Sequence, residues 1–180
     1  MNCWKSINIE RDYGTLRLAM ISATTMLMTF LVYYLVLSSL IKVPPYLGFG
    51  PYLYIVGAIG VIGLHKLLHI FPLWVCGQRL IIERNNKGFL PFLNIKTKDP
   101  LSKNLFLFSL LFPGVVITII CSISVLLFPQ GLHLFAILTA INLGLAVYDI
   151  VYALQVVKAP KASLIENHRT GFHILIRHVG

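Results

Sequence analysis

The sequence predicts an all-α, polytopic membrane protein with four transmembrane helices and both termini cytoplasmic. Three observations carry this. Hydrophobic residues make up 57% of the 180 and charged residues only 12%, with mean hydropathy +0.82, which leaves too little polar surface to coat a soluble domain of this size. Four apolar segments, at 18–41, 52–75, 104–128 and 132–157, each exceed the about 20 residues that a helix needs to cross a bilayer. Thirteen of the fifteen Lys and Arg fall in the N-terminal arm, the loop between the second and third segments, and the tail. Short loops rich in lysine and arginine stay in the cytoplasm, so these three regions share the inner side and four crossings satisfy them.

The organisation that follows is a cytoplasmic arm at 1–17, a four-helix membrane domain at 18–157 with a basic cytoplasmic loop at 77–103, and a cytoplasmic tail at 158–180. The expected location is the cell membrane, multi-pass. The first segment is too long for the apolar region of a signal peptide and no small-residue cleavage site follows it, so it is expected to be retained. The net charge of +9 needs no nucleic acid partner, because the same residues serve as topology signals and contacts to anionic lipid. Cys3 and Cys76 fall on the reducing side and Cys121 inside the third segment, so all three are expected as free thiols.

Taken in order, the arm places Trp4 and Tyr13 at headgroup level as an interfacial lead-in. In segment one, Ser22, Thr24, Thr25 and Thr29 can bond their own helix or a neighbour, while Tyr33 and Tyr34 approach the outer face. Pro44, Pro45, Gly48, Gly50 and Pro51 supply the outer turn. In segment two, Gly57, Gly60 and Gly63 allow close approach of another helix near His65. Pro72 predicts a kink or an end to that helix just past His69. The loop at 77–103 alternates apolar and charged residues and suits a hairpin near the membrane surface. Segment three carries Pro113-Gly114, tolerable in a bilayer if a neighbour satisfies the freed carbonyl. Phe128-Pro129-Gln130-Gly131 forms a short outer turn, and segment four carries Asn142 and Asp149 near one face. His168, His173 and His178 of the tail read as surface residues.

The chemistry concentrates in Gly63-Leu64-His65-Lys66-Leu67-Leu68-His69. Histidines at i and i+4 project from one helical face and can reach a single ion. Asp149 is the one acidic residue inside the four segments, and a carboxylate in a membrane usually faces a partner or a cavity. Segments two and four run in the same direction, so depth is comparable from their inner ends. At about 1.5 Å per residue, His69 lies roughly 9 Å deep, Asp149 roughly 12 Å and His65 roughly 15 Å. Two neutral imidazoles and a carboxylate at one level suit zinc, with a fourth position left for water. An ion pair of Asp149 with Lys66, without metal, is the competing arrangement.

The chain resembles the putative zincin peptidase family, a bacterial family of small membrane proteins distantly similar to site-two-type intramembrane metalloproteases. The residues that carry the resemblance are His65-Lys66-Leu67-Leu68-His69 with Pro72, Ser102-Lys103-Asn104 leading to Leu111-Phe112-Pro113, Asn142 with Tyr148-Asp149, and the tail from Val157 to Gly171. It implies His65, His69 and Asp149 as zinc ligands. Lys66 departs from it: the H-E-x-x-H motif puts a general-base glutamate there, and a protonated lysine cannot take a proton. The favoured function is therefore a degenerate, non-proteolytic relative of a membrane zinc metalloprotease, with Lys66 inactive at the general-base position and a membrane protein as partner or substrate. The alternatives are an active zinc protease with another base, and a structural or transport-associated four-helix protein without metal.

Overall fold

The computed structural model describes residues 2–8, 12–42, 50–78, 80–83, 94–97, 99–160, 163–168 and 171–176. Among the described residues are four helices long and apolar enough to span a membrane: α1 (Thr15–Leu40), α2 (Pro51–Val75), α3 (Lys103–Leu127) and α4 (Leu132–Val157). Their ends lie within three residues of the hydropathy segments. Residues 43–49, where an outer turn is expected, the stretch at 88–93, and Glu10, Arg11 and His178 lie outside the described residues.

Local sequence explains where the helices start and stop. Pro51 occupies the first turn of α2, where its missing N–H costs no bond. Of the two outcomes expected at Pro72, a kink or an end, the helix does not end there but continues through Pro72 to Val75. It closes on Gly77, whose φ of 69° permits bonds from Gln78 N to Leu73 O and from Gly77 N to Trp74 O. The short turn read at 128–131 is a single 3₁₀ turn, Pro129–Gly131, which joins α3 to α4.

Helix α4 is the hub, packed against α1 on one side and against α2 and α3 on the other. Gly144 explains the α1 contact: a Cβ there would collide with Met26, and Ser22 Oγ donates to the Gly144 carbonyl at 2.7 Å. Hydroxyls of α1 behave as the sequence suggested, since Thr24 and Thr25 donate to the carbonyls of Met20 and Ile21 within their own helix. Gly57 seats Leu138 of α4, but a Cβ at Gly60 or Gly63 would meet nothing within 4 Å. The glycine stripe therefore brings a neighbouring helix close at one position only, two turns before His65. Between α2, α3 and α4, Val61, Ile117 and Cys121 form a buried cluster. Cys76 is exposed, and both it and Cys121 are free thiols.

The arm and tail form a sheet that the sequence pattern did not lead us to expect. Strands β1 (Asn2–Ile7), β4 (Leu101–Ser102), β5 (Ser163–His168) and β6 (Gly171–Ile176) pair antiparallel in the order β1-β6-β5-β4. Alternation in β5 and β6 buries Ile165, Phe172 and Ile174 on one face, with Ile165 directly opposite Ile174. This face closes over the ends of α1 and α4 through Ile7, Leu18, Val156 and Ala159. The remaining strands, β2 (Leu80–Glu83) and β3 (Asn94–Thr97), pair as the hairpin expected in the 77–103 loop. Lys103 ties the sheet end together by donating to the carbonyls of Val157 and Ala159 at the end of α4. Both terminal strands thus lie at one end of the bundle, beside the start of α3.

Candidate metal centre

His65 and His69 stand one turn apart on α2, and each leans on a different neighbour. His65 is turned to α4 and is 5% exposed; His69 is turned to α3 and is 26% exposed. Asp149 of α4 lies between them at 14% exposure. Its Oδ2 is 2.9 Å from His65 Nε2 and its Oδ1 is 3.4 Å from His69 Nε2. The three residues offer one ligand atom each, all within 4.8 Å of one another. The imidazole centroids are 5.0 Å apart with the rings near perpendicular, at 80°.

The hydrogen bonds behind the rings decide what the front can do. His69 Nδ1 faces the Ser109 carbonyl oxygen at 2.8 Å, which accepts only, so that nitrogen carries a proton and donates. His65 Nδ1 faces Asn142 Oδ1 at 2.8 Å. The Asn142 amide is oriented by its other end, because Nδ2 donates to the Gly114 carbonyl at 3.0 Å and to Thr118 Oγ1 at 3.2 Å. Its oxygen is then the group that His65 meets, and His65 Nδ1 donates as well. In neutral rings both Nε2 atoms therefore present lone pairs, and both point at a carboxylate. Such a cluster needs positive charge at its centre, supplied by a proton or a cation, and two imidazole nitrogens with a carboxylate oxygen are a suitable donor set for a divalent metal.

Of the residues singled out in the sequence, His65, His69 and Asp149 come together, and Asn142 supports them from behind. Each Asp149 oxygen faces a different imidazole. Lys66 is exposed while His65 beside it is buried, and at 3.6 residues per turn it projects about 60° from His69 and about 100° from His65. Among the tail histidines, His173 is half-buried in β6. Sequence reasoning named Gly114 only as part of the Pro113-Gly114 break and did not single out Ser109 or Thr118, whose roles rest on carbonyl and hydroxyl groups that carry no residue-type signature.

An open groove of about 340 Å³ between α3 and α4 reaches the site, bordered by Gly114, Val115, Leu143, Ala146 and Ile150, with Thr118 and Asp149 as its polar residues. Its walls are otherwise almost wholly apolar, so the carboxylate faces imidazoles on one side and a hydrocarbon-like space on the other.

The sequence model of a family described as Putative zincin peptidase matches residues 58–164, more than half of the chain. Comparison with curated proteins and with solved structures gave no match. The matched span covers most of α2 and all of α3 and α4, and so contains every residue of the centre.

Proposed function

The chain belongs to that family, and from this premise we propose that it is a multi-pass protein of the cell membrane that holds zinc between His65, His69 and Asp149 and has lost proteolysis. The observation that carries the metal reading is the pair of Nε2 lone pairs aimed at one carboxylate, each ring fixed by a donor bond on its far side. Neutral histidine with an oriented Nδ1–H and a carboxylate oxygen is a donor set that favours zinc. Zinc held there supplies a Lewis acid and an activated water.

The loss of proteolysis rests on Lys66. Peptide hydrolysis at a zinc site needs a group that accepts a proton and delivers it to the leaving amine. The residue after the first histidine normally provides it, and here that residue is a lysine. Asp149, the one acidic residue in the four helices, has both oxygens turned to imidazoles. The four helices thus bind and orient without a further carboxylate of their own to move the proton.

We place the sheet end on the cytoplasmic side, following the basic residues of the arm, the 77–103 loop and the tail. The partners that fit are the bilayer itself, with anionic lipid against those residues, and a membrane protein bound near the centre; nucleic acid is not among them. The deciding experiment is elemental analysis of the purified full-length protein beside His65→Ala. One zinc per chain in the wild type and none in the variant supports the reading. No zinc in either leaves a membrane protein whose Asp149 pairs only with a protonated histidine.

A further inference from the structure

A proline inside a helix has no N–H, so the carbonyl four residues earlier loses its donor. In a bilayer that carbonyl must find another donor from within the protein. In α3 the proline is Pro113, itself buried, and the carbonyl it frees belongs to Ser109. The group that answers it is the Nδ1–H of His69, at 2.8 Å. Ser109 then returns a bond, its hydroxyl donating to the His69 backbone carbonyl at 2.6 Å. One residue of α3 therefore holds His69 by the ring and by the main chain.

The second imidazole leads back to the same place. His65 is held by Asn142, and Asn142 is anchored on the carbonyl of Gly114, the residue after the proline, and on Thr118, which also donates to Gly114 at 2.7 Å. The orienting partners of both rings thus converge on the break at Pro113-Gly114. An uninterrupted helix would spend the Ser109 carbonyl on the N–H of residue 113 and leave His69 to compete for it.

We propose that Pro113 is a positioning residue: by freeing the Ser109 carbonyl it fixes which nitrogen of His69 faces Asp149, while Asn142 does the same for His65. The effect on metal affinity rests on the zinc reading above, but the orientation of the rings does not. Orienting partners of this kind typically change metal affinity by about ten- to a hundred-fold.

The experiment uses full-length, metal-stripped protein in nanodiscs with ¹⁵N-labelled histidine, comparing wild type with Pro113→Ala. The Nδ1–H of His69, assigned by its loss in His69→Ala, should exchange slowly in the wild type and markedly faster in Pro113→Ala. Zinc affinity of the same variant should fall by about ten- to a hundred-fold. A merely structural proline would leave the exchange of that ring proton unchanged, and unchanged exchange overturns the proposal. Faster exchange in a protein that binds no zinc upholds the positioning role and removes the metal. Should Pro113→Ala not fold, Asn142→Leu gives the parallel reading at His65: faster exchange of its Nδ1–H with His69 unaffected supports the arrangement, and no change overturns it.

Discussion

His65 and Asn142 are hydrogen-bonded at 2.8 Å with both residues buried, and the bond joins α2 to α4 through the ring nitrogen that faces away from Asp149. Its consequence is on the other side of the ring, where Nε2 is left for the carboxylate. A buried imidazole with one nitrogen already committed has a single remaining direction in which to act. The centre is therefore defined by what stands behind the histidines as much as by the three residues in front.

Replacing Asp149 with Asn tests the front of the site. The shape is nearly kept, but the charge that attracts a cation is removed and an amide N–H can turn toward the Nε2 lone pairs. Zinc binding should weaken by more than about 100-fold, beyond the loss expected from an orienting contact alone. Elemental analysis and competition with a chelating dye measure it. The variant should still fold, since the amide can donate to an imidazole where the carboxylate accepted.

How far the sequence revealed this arrangement depended on which physical signal each part carried. The helices announced themselves because crossing a bilayer demands long apolar runs, and the end of α4 at Val157 coincides with the hydropathy boundary. Asp149 stood out because a carboxylate in such a run is costly unless it meets a partner or a cavity. That His65 and His69 meet Asp149 at one level followed from helical rise alone. Ser109 was hidden because its contribution is a main-chain carbonyl, although the proline at 113 marked that a carbonyl four residues earlier needed a donor. The sheet was missed for a different reason. Phe172-His173-Ile174-Leu175 alternates only loosely, because Leu175 is half-buried where a polar residue would have sharpened the pattern. Gly171 was a clue of another kind: a Cβ there would collide with the Ile7 carbonyl, so the close approach of β1 requires glycine.

Gly144→Ala should destabilise the α1–α4 contact. The added methyl would collide with the Met26 side chain, and the Ser22 bond to the Gly144 carbonyl holds the two helices at their present separation. Overpacking of this kind costs about 1–3 kcal/mol. Met26→Ala provides the space, so the double variant should regain most of the loss. Reversible unfolding in mixed micelles gives the two single effects and their coupling, and strictly additive effects would show that the methionine is not the obstacle.

Ile174→Ala should act on the sheet while sparing the metal centre. Ile174 is fully buried, faces Ile165 across β5, and belongs to the cluster that seals the sheet onto α1 and α4. Truncating it removes a core side chain, a change that costs about 2–5 kcal/mol in a packed interior. The expected outcome is faster proteolytic cleavage within the tail, with zinc stoichiometry unchanged. Loss of zinc together with tail cleavage would mean that the sheet and the centre unfold as one unit.

Lys66→Glu addresses the chemistry that the centre lacks. A glutamate there restores the spacing of a zinc site with a base, since residue 66 follows the first histidine and precedes the second by three. The wild type is expected to be inert toward unfolded membrane polypeptides, and Lys66→Glu to cleave them slowly when zinc is present and not after chelation. His65→Ala in the same background should abolish that cleavage. If the wild type instead cleaves and Lys66→Glu abolishes cleavage, lysine itself takes part in the reaction and the non-proteolytic reading is wrong.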